Sequence, residues 1–327
     1  MIATHFVYFI VITTVSVKTF AVGVGEGEVA FDGALRSMPD GLRESTMTQK
    51  FYAQDTCFYS SMGTYSFEDR CEITKAVGYD ATYLSIWDGR NWAAVEQLSS
   101  VQERYDLEVA GIYVVLNLRL GVEAEQNAGI YQMLKVAPPG STVELAIKTA
   151  GDFARSDPKG DEPVVRWLAE ALSIAQQRNI RLLIYSHLLH WSEKHDDALR
   201  ICERLNHPNL GIVFCGYHWY AGDGERLGAT LRRALPFLKQ VNLSGSRRSP
   251  LGWGQTATIE TLDQGEMDNF AVMALLKRLG YDGYIGWQGW DESGDAFTKL
   301  HKSLEALRSI DERVRNFPHW ARHVDHQ

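Results

Sequence analysis

The sequence predicts an α/β fold, a single (β/α)8 TIM barrel. From Phe51 onward, short apolar segments alternate eight times with amphipathic helical segments, an order typical of a parallel sheet. Two apolar segments, IRLLI and LGIVF, are almost free of polar residues, as expected of strands buried on both faces. No GxGxxG motif follows the first strand, which favours a closed barrel over an open, doubly wound sheet.

The predicted strands are short, and each is followed by a helix or a loop that leads into one. The strands cover Phe51–Phe58, Ala81–Trp87, Val109–Asn117, Val143–Thr149, Arg181–Tyr185, Leu210–Cys215, Gln240–Leu243 and Tyr284–Trp287. The helices cover Ser66–Gly78, Trp92–Tyr105, Ile130–Lys135, Pro163–Arg178, Asp196–Leu205, Leu227–Leu235, Phe270–Leu279 and Ala296–Leu307.

Local signals support several of these boundaries. Ser66 is a plausible helix cap that precedes an acidic first turn, and Pro163 suits the first turn of the fourth helix. Pro138-Pro139-Gly140 ends the third helix. The last unit, GYDGYIGWQGWD from Gly280 to Asp291, runs from a helix end through a short strand to Gln288. Polar residues at carboxyl ends of strands lie where barrels of this kind place their chemistry.

Composition narrows the possible partners. The 327 residues carry a formal charge of −8 and no block of Lys or Arg, which argues against nucleic acid as the main partner. Cys57, Cys71, Cys202 and Cys215 are widely spaced and form no CxxC pair. We therefore expect buried thiols and neither a disulfide framework nor a zinc motif. The oligomeric state stays open.

The N-terminus differs in character from the barrel. The apolar run Phe6–Val17 is shorter than the roughly 20 residues of a membrane span and suits the core of a signal peptide. We predict a signal peptide over residues 1–21, a linker or N-terminal arm over 22–48, the barrel over 49–310 and a polar tail over 311–327. The protein would then be secreted or periplasmic. Since the first five residues carry no Lys or Arg, a cytoplasmic protein with a disordered leader or a misassigned start is the alternative.

Four segments of the second half carry a family resemblance. They are NIRLLIYSH, HPNLGIVFCGYH, PLGWGQ with the later GEMD, and GYDGYIGWQ. These segments resemble the fifth strand, the sixth strand, the loop after the seventh strand and the eighth strand of the xylose isomerase-like TIM barrel family, the sugar-phosphate isomerases and epimerases. The resemblance covers about Phe51 to Leu307.

The resemblance implies a divalent metal such as Mg, Mn or Co, held by Glu, Asp, His and Glu after strands five to eight. In this chain the four positions carry Tyr185, Cys215, Asn242 and Gln288. None of them is the family's ligand, and both carboxylates that move protons in the family are replaced. We therefore predict no metal and no other cofactor. Glu144 and Asp152 are weak candidates for replacement acids, and Glu144 is expected to face the far end of the barrel.

The remaining polar and aromatic groups at the strand ends form the candidate site. His187 and His218 hold the family's histidine positions, and we predict them as the catalytic residues because imidazole titrates near neutral pH. The predicted substrate-binding residues are Tyr185, Asn242, Arg248, Gln288, Trp219 and Trp290. Trp87, Trp191 and Trp253 also lie in or just after strand ends, whereas His190 and His195 are interpreted as structural loop residues. A structural role is the alternative for every residue named.

These observations leave two functions. The first is a sugar or sugar-phosphate isomerase or epimerase that acts on a small carbohydrate or polyol without the usual metal. The second is a non-catalytic carbohydrate-binding protein that has kept the pocket and lost the chemistry. An endonuclease on abasic DNA is rejected, because the chain shows neither a cluster of zinc ligands nor a basic surface.

Overall fold

A computed structural model describes residues 49–87, 92–222, 224–290 and 294–321 of the chain. The predicted signal peptide (1–21), the predicted arm (22–48) and the end of the predicted tail (322–327) lie outside these residues and stay predictions. Among the helices of the described residues, none is both long enough and apolar enough to cross a lipid bilayer.

Eight parallel strands close into one barrel, which confirms the predicted fold class. They are β1 (Phe51–Ala53), β2 (Ala81–Ile86), β3 (Glu108–Asn117), β4 (Thr142–Thr149), β5 (Arg181–Tyr185), β6 (Leu210–Cys215), β7 (Leu238–Leu243) and β8 (Tyr284–Trp287). Each strand pairs with its neighbours in the chain, and β8 returns to β1 through the pair Ala53 and Trp287. The carboxyl ends of all strands therefore open on the same face of the barrel.

Helices surround the barrel and bury their apolar faces against it. In the described residues they are α1 (Thr56–Tyr59), α2 (Phe67–Val77), α3 (Ala94–Gln97), α4 (Val101–Tyr105), α5 (Glu125–Val136), α6 (Asp161–Gln177), α7 (His195–Leu205), α8 (Gly216–Gly222), α9 (Leu227–Ala234), α10 (Asn269–Arg278) and α11 (Ala296–Asn316). The predicted cap of α2 is confirmed, since the Ser66 side chain accepts a hydrogen bond from the Asp69 N–H.

Two boundaries near the start of the barrel differ from the prediction. β1 ends at Ala53 and not at Phe58, because the Asp55 carboxylate accepts hydrogen bonds from Arg70 (2.8 Å) and from the Ser85 N–H (3.1 Å). These contacts hold the chain where it leaves the strand and turns into α1. The helix predicted over Trp92–Tyr105 consists of α3, a 3-10 turn and α4.

Three further helices differ from the sequence expectation. α5 begins at Glu125 and not at Ile130, and α8 follows β6 directly, where the sequence predicts no helix. α11 continues past its predicted end at Leu307 into the predicted tail, because Ile310 and Val314 pack against the core. The polar composition of the tail hides this apolar spacing.

The barrel interior below the open face is polar. Glu144 is fully buried there and accepts a hydrogen bond of 2.5 Å from the Tyr83 hydroxyl. Glu144 lies in the first half of β4, away from the open face as the sequence interpretation expects, and its side chain points into the barrel interior. Burial raises the pKa of Glu144 to about 8, and the hydrogen bond from Tyr83 offsets part of that rise. The carboxyl is therefore mostly neutral at physiological pH.

A glycine makes room for one ring of this interior. A Cβ at Gly286 would lie 2.3 Å from the Tyr52 ring, so only glycine fits opposite that ring. Tyr52 in turn stacks on Tyr83 with ring centroids 5.6 Å apart. Tyr83 also lines the cavity at the carboxyl ends of the strands, and its hydroxyl contacts Glu144 in the interior.

Candidate functional site

A cavity of about 320 Å³ lies at the carboxyl ends of the strands, and we call it the mouth pocket. Its lining residues come from β2 to β5, from α1 and α8, and from the segments after β1, β2, β5, β7 and β8. They are Gln54, Thr56, Tyr83, Ser85, Trp87, Tyr113, Val115, Lys148, Tyr185, His187, His190, Tyr217, His218, Ile259, Gln288 and Trp290. The described lining contains no Asp or Glu, and Lys148 is its one side chain with a fixed charge.

The four side chains that the sequence analysis assigns to the family's metal positions meet at the bottom of the mouth pocket, and we call them the floor network. The Tyr185 hydroxyl lies 3.3 Å from Cys215 Sγ and 3.5 Å from Asn242 Oδ1, and the Cys215 thiol donates to Gln288 Oε1 at 2.9 Å. Tyr185 and Gln288 line the pocket, whereas Asn242 is fully buried beneath it. The four positions therefore converge, as their placement at the strand ends predicts.

The floor network is neutral. Burial raises the pKa of the Cys215 thiol to about 12, and burial together with Cys215 holds the pKa of Tyr185 well above its ordinary value. Hard divalent ions such as Mg and Mn prefer carboxylate oxygens, and a neutral phenol, a thiol and two amides fit them poorly. Among the described residues, no group of three or more His, Cys, Asp or Glu is placed to hold a metal ion.

One side of the mouth pocket carries nitrogen groups, and we call it the histidine wall: Lys148, His187, His190 and His218. The rings of His187 and His190 stack with centroids 3.9 Å apart, and those of His187 and His218 lie 4.1 Å apart. His187 and His190 follow β5, and His218 lies in α8 after β6. The two predicted catalytic residues are therefore neighbours in one wall.

The three imidazoles of the histidine wall are neutral at physiological pH. Burial lowers the pKa of His187 to about 4, and burial together with His187 and Lys148 lowers that of His190 to about 2. Burial and the neighbouring histidines hold the pKa of His218 well below its ordinary value. These side chains act as neutral hydrogen-bonding groups in the mouth pocket.

The opposite side of the mouth pocket is aromatic, and we call it the tryptophan wall: Gln54, Ser85, Trp87 and Trp290. The Trp87 and Trp290 rings meet edge to face at 5.2 Å with an angle of 81°. Tyr59 packs on the outer side of Trp87 at 4.7 Å. Such rings with nearby amide and hydroxyl groups suit the apolar faces and hydroxyl edges of a sugar.

Besides Asn242, two further predicted substrate-binding residues do not line the mouth pocket. Arg248 donates to the Tyr220 carbonyl oxygen at 2.6 Å and lies over the Tyr220 ring at 4.6 Å. Trp219 lines two other cavities and donates from its indole nitrogen to the Glu225 carbonyl oxygen. Both side chains are held by contacts of the α8 region and do not reach the pocket.

Other candidates from the sequence also lie elsewhere. Asp152 is exposed and pairs with Arg119 at 3.5 Å, so it supplies no acid to the mouth pocket. Trp191 is buried in the core, and His195 is buried at the start of α7. The Trp253 side chain lies outside the part of the chain that the structure describes.

Two residues of the histidine wall are missed by the sequence interpretation. His190 reads as a loop residue, and it joins the pocket because the chain after β5 turns back so that the His190 N–H bonds the His187 carbonyl oxygen. Lys148 had a usable signal, since it lies at an even spacing from Glu144 in the same strand and so faces the same side.

Solved structures support the barrel architecture. A 3-keto-D-glucoside 4-epimerase from E. coli aligns with a TM-score of 0.59 at 15% identity, covering 80% of this chain and 100% of that one. An L-ribulose 3-epimerase aligns with a TM-score of 0.64 at 14% identity, covering 82% and 96%. A D-tagatose 3-epimerase-like protein aligns with a TM-score of 0.62 at 17% identity, covering 82% and 99%. At these identities the likeness concerns the fold.

The sequence comparisons differ in what they find. A search of curated protein sequences gives no match. The family model of the xylose isomerase-like TIM barrel matches residues 71–310, most of the chain and nearly all of the barrel. With its closed barrel of eight parallel strands and this match, the chain belongs to the xylose isomerase-like TIM barrel family.

Proposed function

We propose that this chain is a sugar isomerase or epimerase that acts on a carbohydrate or polyol without its family's divalent metal. The observation that carries the proposal is the neutral floor network, which occupies the four metal positions beneath a pocket rich in histidine and tryptophan. The family supports this class of substrate, and so do the 3-keto-D-glucoside 4-epimerase and the L-ribulose 3-epimerase, two sugar epimerases with similar folds.

Isomerisation next to a carbonyl needs a group that stabilises negative charge on the carbonyl oxygen. In the family a metal ion does this as a Lewis acid. Here Lys148 and His218 line the same wall and can donate hydrogen bonds to such an oxygen. Donors that are fixed before the reaction and shielded from water stabilise developing charge effectively, and of these two side chains His218 is the buried one. His187, beside His218, is placed to exchange a proton with the neighbouring carbon.

The tryptophan wall supplies the binding surface for the sugar. Trp87 and Trp290 present rings, and Gln54 and Ser85 present groups that can bond hydroxyls. The volume of about 320 Å³ lies at the small end of ligand pockets, which span roughly 300–1,000 Å³. A small carbohydrate is therefore a better candidate than an oligosaccharide.

A non-catalytic carbohydrate-binding protein is the second candidate. The low pKa values of His187 and His190 favour it, because imidazoles that hold a proton so weakly are poor bases near neutral pH. In this case the pocket would bind the sugar and leave its carbon-bound hydrogens unchanged.

Hydrogen exchange separates these functions. The protein is treated with EDTA, its residual metal is measured by elemental analysis, and it is incubated in D₂O with a panel of aldoses, ketoses and their phosphates. Deuterium entering a carbon position at the same rate with and without EDTA supports the proposal. Exchange that needs added Mn²⁺ contradicts the metal-free mechanism. A sugar that raises the melting temperature without exchange favours the binding protein.

A further inference from the structure

One peptide unit contacts both predicted catalytic histidines. The carbonyl oxygen of Leu188 lies 2.8 Å from His187 Nδ1, and the N–H of Leu188 lies 3.2 Å from His218 Nδ1. Leu188 follows His187 directly after β5, and it is buried. The same backbone group is therefore an acceptor for one imidazole and a donor for the other.

These two contacts determine where each ring carries its proton. A carbonyl oxygen can only accept, so His187 Nδ1 must carry hydrogen and its Nε2 presents a lone pair. A backbone N–H can only donate, so His218 Nδ1 presents the lone pair and its Nε2 carries hydrogen. In the neutral state the two rings therefore have opposite tautomers. In each ring, the hydrogen bond at Nδ1 determines whether Nε2 carries a hydrogen.

The hydrogen on His218 Nε2 is not used by the described protein. His218 is only 3% exposed, and its Nε2 has no hydrogen-bond partner among the described residues. A buried donor without a partner is costly, and most such groups in proteins are satisfied by water or a ligand. Because His218 lines the mouth pocket, an oxygen of a bound molecule is a suitable acceptor.

We propose that the Leu188 peptide is a positioning group that makes His187 the proton acceptor and His218 the hydrogen-bond donor of a one-base reaction. This assignment rests on the proposed function and narrows it to aldose–ketose isomerisation. One base can move a proton between adjacent carbons on one face of a sugar. Epimerisation by direct proton exchange needs a second base on the other face.

The arrangement of the pocket supports the one-base reaction. The rings of His187, His190 and His218 are stacked or adjacent in one wall, after β5 and β6. In an eight-stranded ring, β1 lies across from β5, and there the described lining consists of Gln54, aromatic rings and hydroxyl groups. None of these groups in the described lining has a basic nitrogen or a carboxylate that could take up the proton of a carbon acid.

In the proposed reaction, one carbon-bound proton moves between two adjacent carbons through His187. His187 Nε2 takes the proton from the carbon next to the carbonyl, the C–H electron pair forms the carbon–carbon double bond, and the carbonyl pair moves onto its oxygen. His218 Nε2–H donates a hydrogen bond to that oxygen, as a neutral imidazole can. His187 then returns the proton to the adjacent carbon, the hydroxyl proton passes between the two oxygens, and the second carbonyl forms.

The tautomers can be measured without any substrate. The full chain is labelled with ¹⁵N histidine, and long-range ¹H–¹⁵N spectra are recorded at pH 7, with assignments from the variants His187→Gln and His218→Gln. We expect hydrogen on Nδ1 of His187 and on Nε2 of His218. If both rings show the same tautomer, or rapid exchange between the two, the role of the Leu188 peptide is refuted even where sugar exchange occurs.

The roles are tested by matched variants in the D₂O assay. His218→Gln keeps an N–H donor and is expected to retain at least tenfold more exchange than His218→Phe, whereas His187→Gln and His187→Phe are expected to be equally inactive. Formation of the 2-epimer as fast as the ketose would overturn the one-base reaction. Opposite tautomers with no exchange on any sugar would refute the catalytic assignment together with the proposed function, and leave only the hydrogen bonds of Leu188 established.

Discussion

The two walls of the mouth pocket are built from different chemistry on the same scaffold. The histidine wall consists of nitrogen-bearing side chains in β4 and after β5 and β6, and three of its four members are imidazoles. The tryptophan wall lies at the carboxyl ends of β1, β2 and β8, and its amide, hydroxyl and indole groups include no base that can take up a proton. Proton transfer should therefore depend on the first wall, and affinity for the sugar on the second.

This division differs from the mechanism that the family resemblance implies. There, the metal and two carboxylates stand at the centre of the barrel mouth, between the walls. Here the centre is a neutral floor, in which Tyr185, Cys215 and Gln288 bond one another. The loss of charge at the centre leaves the walls as the sources of proton transfer and binding, so that single substitutions in the two walls should have separable effects.

The largest effect is expected from His187→Gln. Glutamine cannot take up a proton, and general acid–base groups contribute typically 10²- to 10⁴-fold to rate. We expect deuterium exchange into the sugar to fall by about that factor, with the dissociation constant changed less than about threefold. Mass spectrometry measures the first quantity and calorimetry the second. His301→Gln, at a half-exposed site on α11, is the control. If His187→Gln weakened binding as much as it slowed exchange, proton transfer and sugar binding would not depend on separate walls.

Strand geometry determines which residues of this site can be predicted from the sequence. The floor positions Tyr185, Cys215, Asn242 and Gln288 are each one of the last two residues of a strand or directly follow one, and strand ends of a closed barrel meet at one face. Their convergence could therefore be predicted from the alternation of strands and helices alone. The same argument correctly brings His187 and His218 to the open face.

Residues outside the strands could not be placed in this way. Arg248 and Trp219 follow strands β7 and β6, but local contacts with Tyr220 and Glu225 hold them away from the mouth pocket. His190 enters the pocket through a turn that no sequence period describes. Hydrogen bonds made by the loops after the strands decided each of these cases.

The next largest effect is expected from Trp290→Ala. Removing the ring takes away apolar contact with the sugar, which we set at about 1 kcal/mol, or about fivefold in the dissociation constant. The exchange rate at saturating sugar should stay within about twofold, because Trp290 lies on the wall without proton-transferring groups. Trp320→Ala, at an exposed site near the C-terminus, is the matched control. A lower exchange rate at saturating sugar with unchanged affinity would contradict the assignment of binding to the tryptophan wall.

A smaller effect is expected from Lys148→Met, which removes the fixed charge of the histidine wall. Lys148 is solvent-exposed, so its hydrogen bond to a substrate oxygen should contribute little to binding in the ground state. We expect about threefold weaker binding and a somewhat larger fall in exchange, since charge develops on that oxygen during the reaction. Lys135→Met on α5 is the control. An unchanged rate and affinity would remove Lys148 from the site.

The smallest effect concerns pH, and it tests the histidine wall without any substitution. Burial lowers the pKa of His187 from 6.5 to about 4, and burial with the neighbouring groups lowers that of His190 to about 2. Burial also holds the pKa of His218 well below, and that of Tyr185 well above, its ordinary value. As a base His187 must be neutral, so exchange should be constant from about pH 8 to 5 and fall to about half near pH 4.

The lowered pKa of His187 also makes the stability of the folded chain decrease as the pH falls. The unfolded chain binds protons at histidine near pH 6.5, whereas the folded chain resists them until about pH 4. The stability contributed by the neutral ring is therefore present above pH 6.5 and declines as the pH falls through that window. Between pH 6.5 and 5 the melting temperature should already fall while the exchange rate stays constant. This difference separates the effect of pH on stability from its effect on the reaction. An acid limb of exchange near pH 6.5 would show that substrate meets an exposed histidine and not the buried wall.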